Sequence, residues 1–219
     1  MLKAQIVPVT AFSQNCSIIW CDETMEGALV DPGGDVDRLL EVVDKLGVKL
    51  TKILLTHGHL DHAGGAADIK EKLGLPIIGP HKDDKFWLDQ IEDNAARYGM
   101  AGLRNCTPDQ WLDDGDEVTV GNVTLQVLHT PGHTPGHVVF YEGNHKVAFV
   151  GDVIFKGSIG RTDFPRGDMP TLVKSITGKL WPLGPDVTFV PGHGPLSTFG
   201  AERQSNPFVG DAVLTSAMR

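Results

Sequence analysis

"LLTHGHLDHAGG", Leu54 to Gly65, crowds His57, His59, Asp61 and His62 into one short stretch. Neutral imidazole nitrogens and carboxylate oxygens are the donors that Zn(II), Mn(II) and Fe(II) accept. Such a motif carries weight only in the right structural context. Upstream, "TKILLT" (51–56) is apolar and β-rich and reads as a buried strand. Downstream, "AGGAADIKEKLG" (63–74) reads as a helix. The histidines therefore fall in a loop at the C-terminal end of a strand.

Further towards the N-terminus, "LKAQIVPV", "NCSIIWC" and "GALVDPGG" are short β-like runs separated by turn signals. "DVDRLLEVVDKL" (35–46) places Val36, Leu39, Leu40, Val43 and Leu46 on one helical stripe, with Asp35 as N-cap and Gly47 as stop. Residues 81 to 112 show weak helical patterns and read as an inserted helical segment. From 118, "VTVGNVTLQVLHT" alternates with period two, followed by strands "GHVVFY" and "KVAFVGD" around the turn "EGN". A glycine-rich loop to Asp168, a helix over about Pro170 to Leu180 and a last strand in "DVTFVPGHG" complete the chain. Strands with helices in both halves predict one domain over residues 1–219, an α/β chain folded as an αββα sandwich of two sheets with helices outside.

Three more candidate donors share the context of the opening motif. His133 in "HTPGHTPGH", Asp152 in "FVGDVIF" and His193 in "VPGHGP" each follow a predicted strand. Seven donors are too many for one catalytic ion that must keep a position open, and they fit two ions sharing a carboxylate.

The 219 residues carry 19 Lys and Arg against 28 Asp and Glu, a net charge of -9, with no basic run. That balance disfavours nucleic acid and anionic membranes as partners. The start "MLKAQIVPVTAFSQN" has an apolar stretch broken by Gln5, Pro8 and Thr10, so neither a signal peptide nor a membrane span is expected, and a cytoplasmic location is. Cys16, Cys21 and Cys106 are odd in number and lack a C-x-x-C spacing, which predicts three reduced thiols outside any metal site.

"THGHLDH", "TPGH", "GD" and "PGHG", in that order and over nearly the whole chain, resemble the metallo-β-lactamase superfamily and its glyoxalase II branch. The resemblance implies that His57, His59 and His133 hold a first metal and that Asp61, His62 and His193 hold a second. Asp152 would bridge them together with a hydroxide, giving Asp61 and Asp152 catalytic roles. The stretches "GSIGRTDFPRGD" and "PGHGPLSTFGAERQSNPF" resemble the short glyoxalase II type, which lacks a C-terminal helical domain; too few residues follow His193 for one. The implied substrate is S-D-lactoylglutathione or a related glutathione thioester, cleaved to D-lactate and glutathione in methylglyoxal detoxification. Zinc is the first expectation for the two divalent ions, with iron or manganese as alternatives.

The parts suit that chemistry. A metal lowers the pKa of bound water to about 7, and a second ion polarises the attacked carbonyl. A thiol of pKa about 8.5 leaves as thiolate without a general acid. Arg161 is the candidate for the glutathione moiety, with pairing to Asp163 or Asp168 as the alternative. Asp31 in "VDPG" is the candidate to orient a ligand histidine through its second ring nitrogen. The family's substrate-binding Tyr after the last His is not matched, since Pro195 stands there. His129 and His137 flank His133 as further orienting candidates, and His81 and His145 are expected to face solvent. Three competing readings remain: a mononuclear Fe(II) persulfide dioxygenase, a lactonase or β-lactamase on the same scaffold, and a non-enzymatic binding protein. "PGHGPLSTFG" around His193 favours the hydrolase over the dioxygenase because it completes a second metal.

Overall fold

The computed structural model describes residues 1–217, so the last two residues of the expected domain lie outside it. β1 (Leu2–Val9), β2 (Gln14–Cys21) and β3 (Glu26–Val30) form an antiparallel meander. α1 (Val36–Leu46) then carries the chain back so that β4 (Lys49–Leu54) pairs parallel to β3. Such a reversal needs a crossover, and a helix with one apolar stripe provides it. α2 (Leu60–Ala63) and α3 (Ala66–Leu73) lead to β5 (Ile77–Ile78), which closes a five-stranded sheet. After α4 (Lys85–Leu88) and α5 (Ile91–Arg97), a second sheet starts with β6 (Glu117–Val120), β7 (Val123–His129), β8 (Val138–Glu142) and β9 (Val147–Gly151). A small hairpin of β10 (Ile154–Phe155) and β11 (Ser158–Ile159) and helix α6 (Met169–Ser175) precede β12 (Thr188–Pro191), which pairs parallel to β9. β13 (Ser197–Thr198) completes the six-stranded sheet, and α7 (Phe199–Ser205) and α8 (Asp211–Ala217) end the described chain.

Period-two alternation builds three apolar layers from these strands. In β2, Ile18 packs outward with Leu29, Leu39, Val43, Ile53 and Ile69 against the helices, whereas Ile19 packs inward. There it meets Val30, Leu54, Phe140 and Phe149 between the two sheets. Val139 and Val150 point to the far side and pack with Leu172, Ile176, Phe189 and Phe199. Helix, sheet, sheet, helix is the αββα sandwich that the sequence predicts.

Local details differ from expectation. Asp35 stands at the N-cap of α1 but has a left-handed backbone, and its carboxylate accepts from Thr10 N at 2.8 Å rather than capping the helix. Gly47 ends α1 as expected, with φ 67°. The helix after the histidines is divided into α2 and α3, and it begins at Leu60, inside the motif. The segment 81–112 is helical only to Arg97. α6 begins at Met169 with Asp168 as its cap, and passes into wider turns from Ile176 to Leu180. Among the described residues no helix is long and apolar enough to cross a membrane.

Candidate metal centre

Each candidate donor sits just past the C-terminal end of a strand, where backbone pairing stops and the chain can turn side chains inward. β4 ends at Leu54 before His57 and His59, and Asp61 and His62 lie in α2. β7 delivers His133, β9 delivers Asp152 and β12 delivers His193. β3 ends at Val30, so that Asp31 follows at once.

The donors converge in two groups. His59 Nδ1 lies 3.1 Å from His57 Nε2 and 3.0 Å from His133 Nε2. Nitrogens bound at about 2.0–2.1 Å to one zinc stand about 2.9–3.4 Å apart, so this spacing fits a shared ion. In the second group His193 Nε2 is 3.1 Å and His62 Nε2 3.8 Å from Asp61 Oδ2. Asp152 faces both groups, with Oδ1 3.3 Å from His62 Nε2 and Oδ2 3.7 Å from both His133 Nε2 and His193 Nε2. His62 Nε2 and Asp152 Oδ1 are buried without a hydrogen-bond partner. Buried orphans of this kind are costly, and a cation between them satisfies both. The donor set fits a dinuclear metal site.

His59 Nε2 is buried without a hydrogen-bond partner, but the outer ring nitrogens of the other donor histidines have acceptors that define which atom carries the proton. His133 Nδ1 donates to the Arg161 carbonyl at 2.7 Å, and His193 Nδ1 to the Phe12 carbonyl at 3.2 Å. His62 Nδ1 donates to Asp31 Oδ2 at 2.8 Å. Thr56 Oγ1 donates to the same Oδ2 at 2.5 Å, which leaves it to accept from His57 Nδ1 at 3.0 Å. Thr56 N completes the fan on Asp31 Oδ1 at 2.7 Å. One carboxylate thus orients a histidine in each group. Asp31 itself holds a left-handed φ of 53°, a conformation Asp tolerates.

Burial lowers the pKa of His57 and His133 and takes His59 down to about 3, so these rings stay neutral with free lone pairs. His62 runs the other way: burial opposes its charge, but Asp152 and Asp61 outweigh that and raise it. Burial likewise opposes ionisation of Asp152, yet His62 holds it well below the ordinary carboxylate range. The field in the second group therefore favours positive charge, which a divalent cation supplies.

Neighbours that the sequence left unranked prove close to the donors. His137, expected only as one of two flanking candidates, is fully buried and stacks on His57 at 4.7 Å. Its Nε2 accepts from the Asp152 backbone N–H at 3.1 Å. His129 takes no such part; it donates to the Pro135 carbonyl and stacks on His81 at 4.3 Å. His81 is for that reason partly buried, against the expectation of a solvent-facing ring, whereas His145 is exposed and bonds Glu142. Gln14, buried, approaches His62 Nδ1 at 3.4 Å. Cys16, Cys21 and Cys106 are unpaired and buried.

Arg161 is exposed and forms a two-pronged pair with Asp163 at 2.7 and 2.6 Å, while Asp168 caps α6 instead. Its guanidinium lies 4.1 Å over the Phe164 ring, which stands edge-on to His59. Phe12 and Tyr98, both exposed, meet edge to face at 5.7 Å, next to the Phe12 carbonyl that bonds His193. Pro195 is exposed.

The family model of the metallo-β-lactamase superfamily matches residues 9–193. The hydroxyacylglutathione hydrolase GloC of Haemophilus influenzae is 46% identical over 209 residues, 95% of this chain and 98% of its own. Among solved structures, the BLEG-1 B3 metallo-β-lactamase superposes with TM-score 0.86 at 34% identity, covering 95% of this chain and 99% of that one. The di-iron-bound form of TTHA1623 gives TM-score 0.85 at 36% identity, covering 93% and 99%. The four-layer sandwich, the strand-end donors and these likenesses agree: the chain belongs to the metallo-β-lactamase superfamily.

Proposed function

We propose that the chain is a dinuclear metallohydrolase that cleaves the thioester of S-D-lactoylglutathione or a related acylglutathione to the hydroxy acid and glutathione. The observation that carries this reading is Asp152, whose Oδ2 lies 3.7 Å from His133 Nε2 of one group and from His193 Nε2 of the other, while its Oδ1 lies 3.3 Å from His62 Nε2. His57, His59 and His133 would hold one ion, Asp61, His62 and His193 the other, and Asp152 both. Two bound divalent ions supply a nucleophilic water of lowered pKa and a Lewis acid for the thioester carbonyl. The protein's own share is positional. Asp31 and the Arg161 carbonyl keep the ring lone pairs aimed inward. Trp87 and Phe164 wall the first group with aromatic edges and keep bulk water from it. Arg161 lies over Phe164 of that wall, and a glutathione carboxylate would replace Asp163 on it. The likeness to GloC supports the substrate class. Zinc suits the donors, and the di-iron form of TTHA1623 keeps iron as the alternative metal.

The competing dioxygenase needs one iron and leaves the second group idle. That group is fully assembled here, with His193 Nε2 3.1 Å from Asp61 Oδ2, which favours the hydrolase. Metal analysis and thioester hydrolysis on one sample test the reading. The expected result is close to two ions per chain, hydrolysis of S-D-lactoylglutathione and loss of activity with chelator. Full activity in metal-free protein, or oxygen uptake with glutathione persulfide in place of hydrolysis, would overturn it.

A further inference from the structure

Asp84 lies outside the seven donors, in the turn Lys82–Asp84 that leads into α4, and its carboxylate is completely buried. No cation pairs with it among the described residues. It is instead the acceptor for three donors from two other segments. Oδ2 accepts from Gly58 N and from Thr134 Oγ1, both at 2.8 Å, and Oδ1 accepts from Gly136 N at 2.6 Å. Gly58 stands between His57 and His59, and Thr134 follows His133 directly. All three nitrogen donors of the first group are therefore adjacent in sequence to a hydrogen bond on this one side chain.

The contact is close enough to constrain the sequence on each side. A Cβ on Gly136 would lie 2.5 Å from Asp84 N and 2.6 Å from the His81 carbonyl, and one on Gly58 would lie 2.7 Å from Trp87 Cβ. Backbone bonds reinforce the junction, His81 N to the Gly136 carbonyl and Asp84 N to the His81 carbonyl, each 3.0 Å. Burial pushes Asp84 up to about 6, against the pull of Thr134, Gly58 and Gly136. Two of its three partners are backbone N–H groups, which can only donate, so the carboxylate acts as their acceptor. None of these three bonds reaches Asp61, His62 or His193.

We propose that Asp84 is a positioning residue for the first metal: it ties the His57–His59 loop to the His133 loop and presets the spacing of their three nitrogens. The inference rests on the ligand assignment above and adds a group that touches no metal. A side chain that crosslinks two ligand segments lowers the cost of bringing them together when an ion binds. Partners of ligand residues typically change metal affinity about 10- to 100-fold when mutated. The second group, which Asp84 does not touch, should change by no more than about threefold on the same reasoning.

Asp84→Asn tests this in the full chain. An amide has one acceptor oxygen for three donors, and its NH2 faces one of them. Crystals equilibrated in zinc buffers and measured by anomalous diffraction at the zinc edge report occupancy at each site separately. The expected result is selective loss of the His57–His59–His133 ion. Thr134→Val serves if Asp84→Asn does not fold, since it removes one bond of three and should weaken the same site by a smaller factor. Equal loss at both sites would mark a general structural role, and unchanged occupancy would mark none; either overturns the proposal. Wild-type protein holding a single ion at the first site would sink the dinuclear reading while Asp84→Asn still decides the clamp. A wild-type chain that takes up no zinc overturns both.

Discussion

Asp31→Asn changes one oxygen to nitrogen and leaves the backbone undisturbed, because Asn tolerates the φ of 53° found at this position. Its consequence follows from counting protons. Asp31 Oδ2 accepts from both Thr56 Oγ1 and His62 Nδ1, and Oδ1 accepts from Thr56 N. If the new oxygen stays with Thr56 N, the new NH2 faces two donors. His62 must then move its proton from Nδ1 to Nε2, the atom that faces Asp152 and the second metal position. Thr56 must then accept from the amide, and its hydroxyl proton, which has lost Asp31 Oδ2 as acceptor, turns to His57 Nδ1. His57 in turn protonates Nε2, which faces His59 in the first group. One isosteric change thus spoils a lone pair in each group. The flipped amide fares no better, since it sets NH2 against Thr56 N–H.

Each disturbed ligand should weaken its ion by about 10- to 100-fold, or about 1.4–2.7 kcal/mol per site. The metal-free protein should also lose about 1–3 kcal/mol for each buried donor left facing a donor. Zinc competition against a chromogenic chelator measures the first effect, and urea unfolding of metal-free protein measures the second. Affinity should fall at both sites, beyond what the change in metal-free stability explains. Two zinc ions bound with wild-type affinity in Asp31→Asn would refute the relay from Asp31 to both histidines.

His193→Ala should bring metal content towards one ion per chain and cut thioester hydrolysis by orders of magnitude, as read by metal analysis beside steady-state kinetics. Arg161→Ala removes the guanidinium but keeps the carbonyl that orients His133, so KM for acylglutathiones should rise several-fold with kcat nearly unchanged. Equal effects on thioesters lacking the glutathione carboxylates would return Arg161 to its pair with Asp163. Phe140→Ala opens a cavity between the two sheets and should cost about 3–5 kcal/mol in urea unfolding, with metal stoichiometry retained.

Much of this protein is written locally. Strand alternation in β2, β3 and β8 specifies which residues face the gap between sheets, and the glycine after Leu46 stops α1, because these depend on backbone geometry within a few residues. That the candidate donors would cluster was legible for a similar reason: imidazole and carboxylate at strand ends have few other uses at that density. What depends on distant segments was not legible. Asp35 faces Thr10 across the chain and so abandons its helix cap. His129 and His137 flank His133 at equal spacing, yet only the packing of β8 against β9 brings His137 to the Asp152 backbone. Arg161 enters the site partly through its carbonyl, an atom every residue has and no motif can mark. Asp84 looks like any surface Asp in "HKDDKFW" until the fold buries it between two loops. The sequence by itself determined the main strands, the layers and which residues are candidate donors, since covalent geometry and side-chain chemistry act at short range. Which proton sits on which nitrogen, and which carboxylate holds the donors in place, only the tertiary structure decided, because hydrogen bonds are made by neighbours in space.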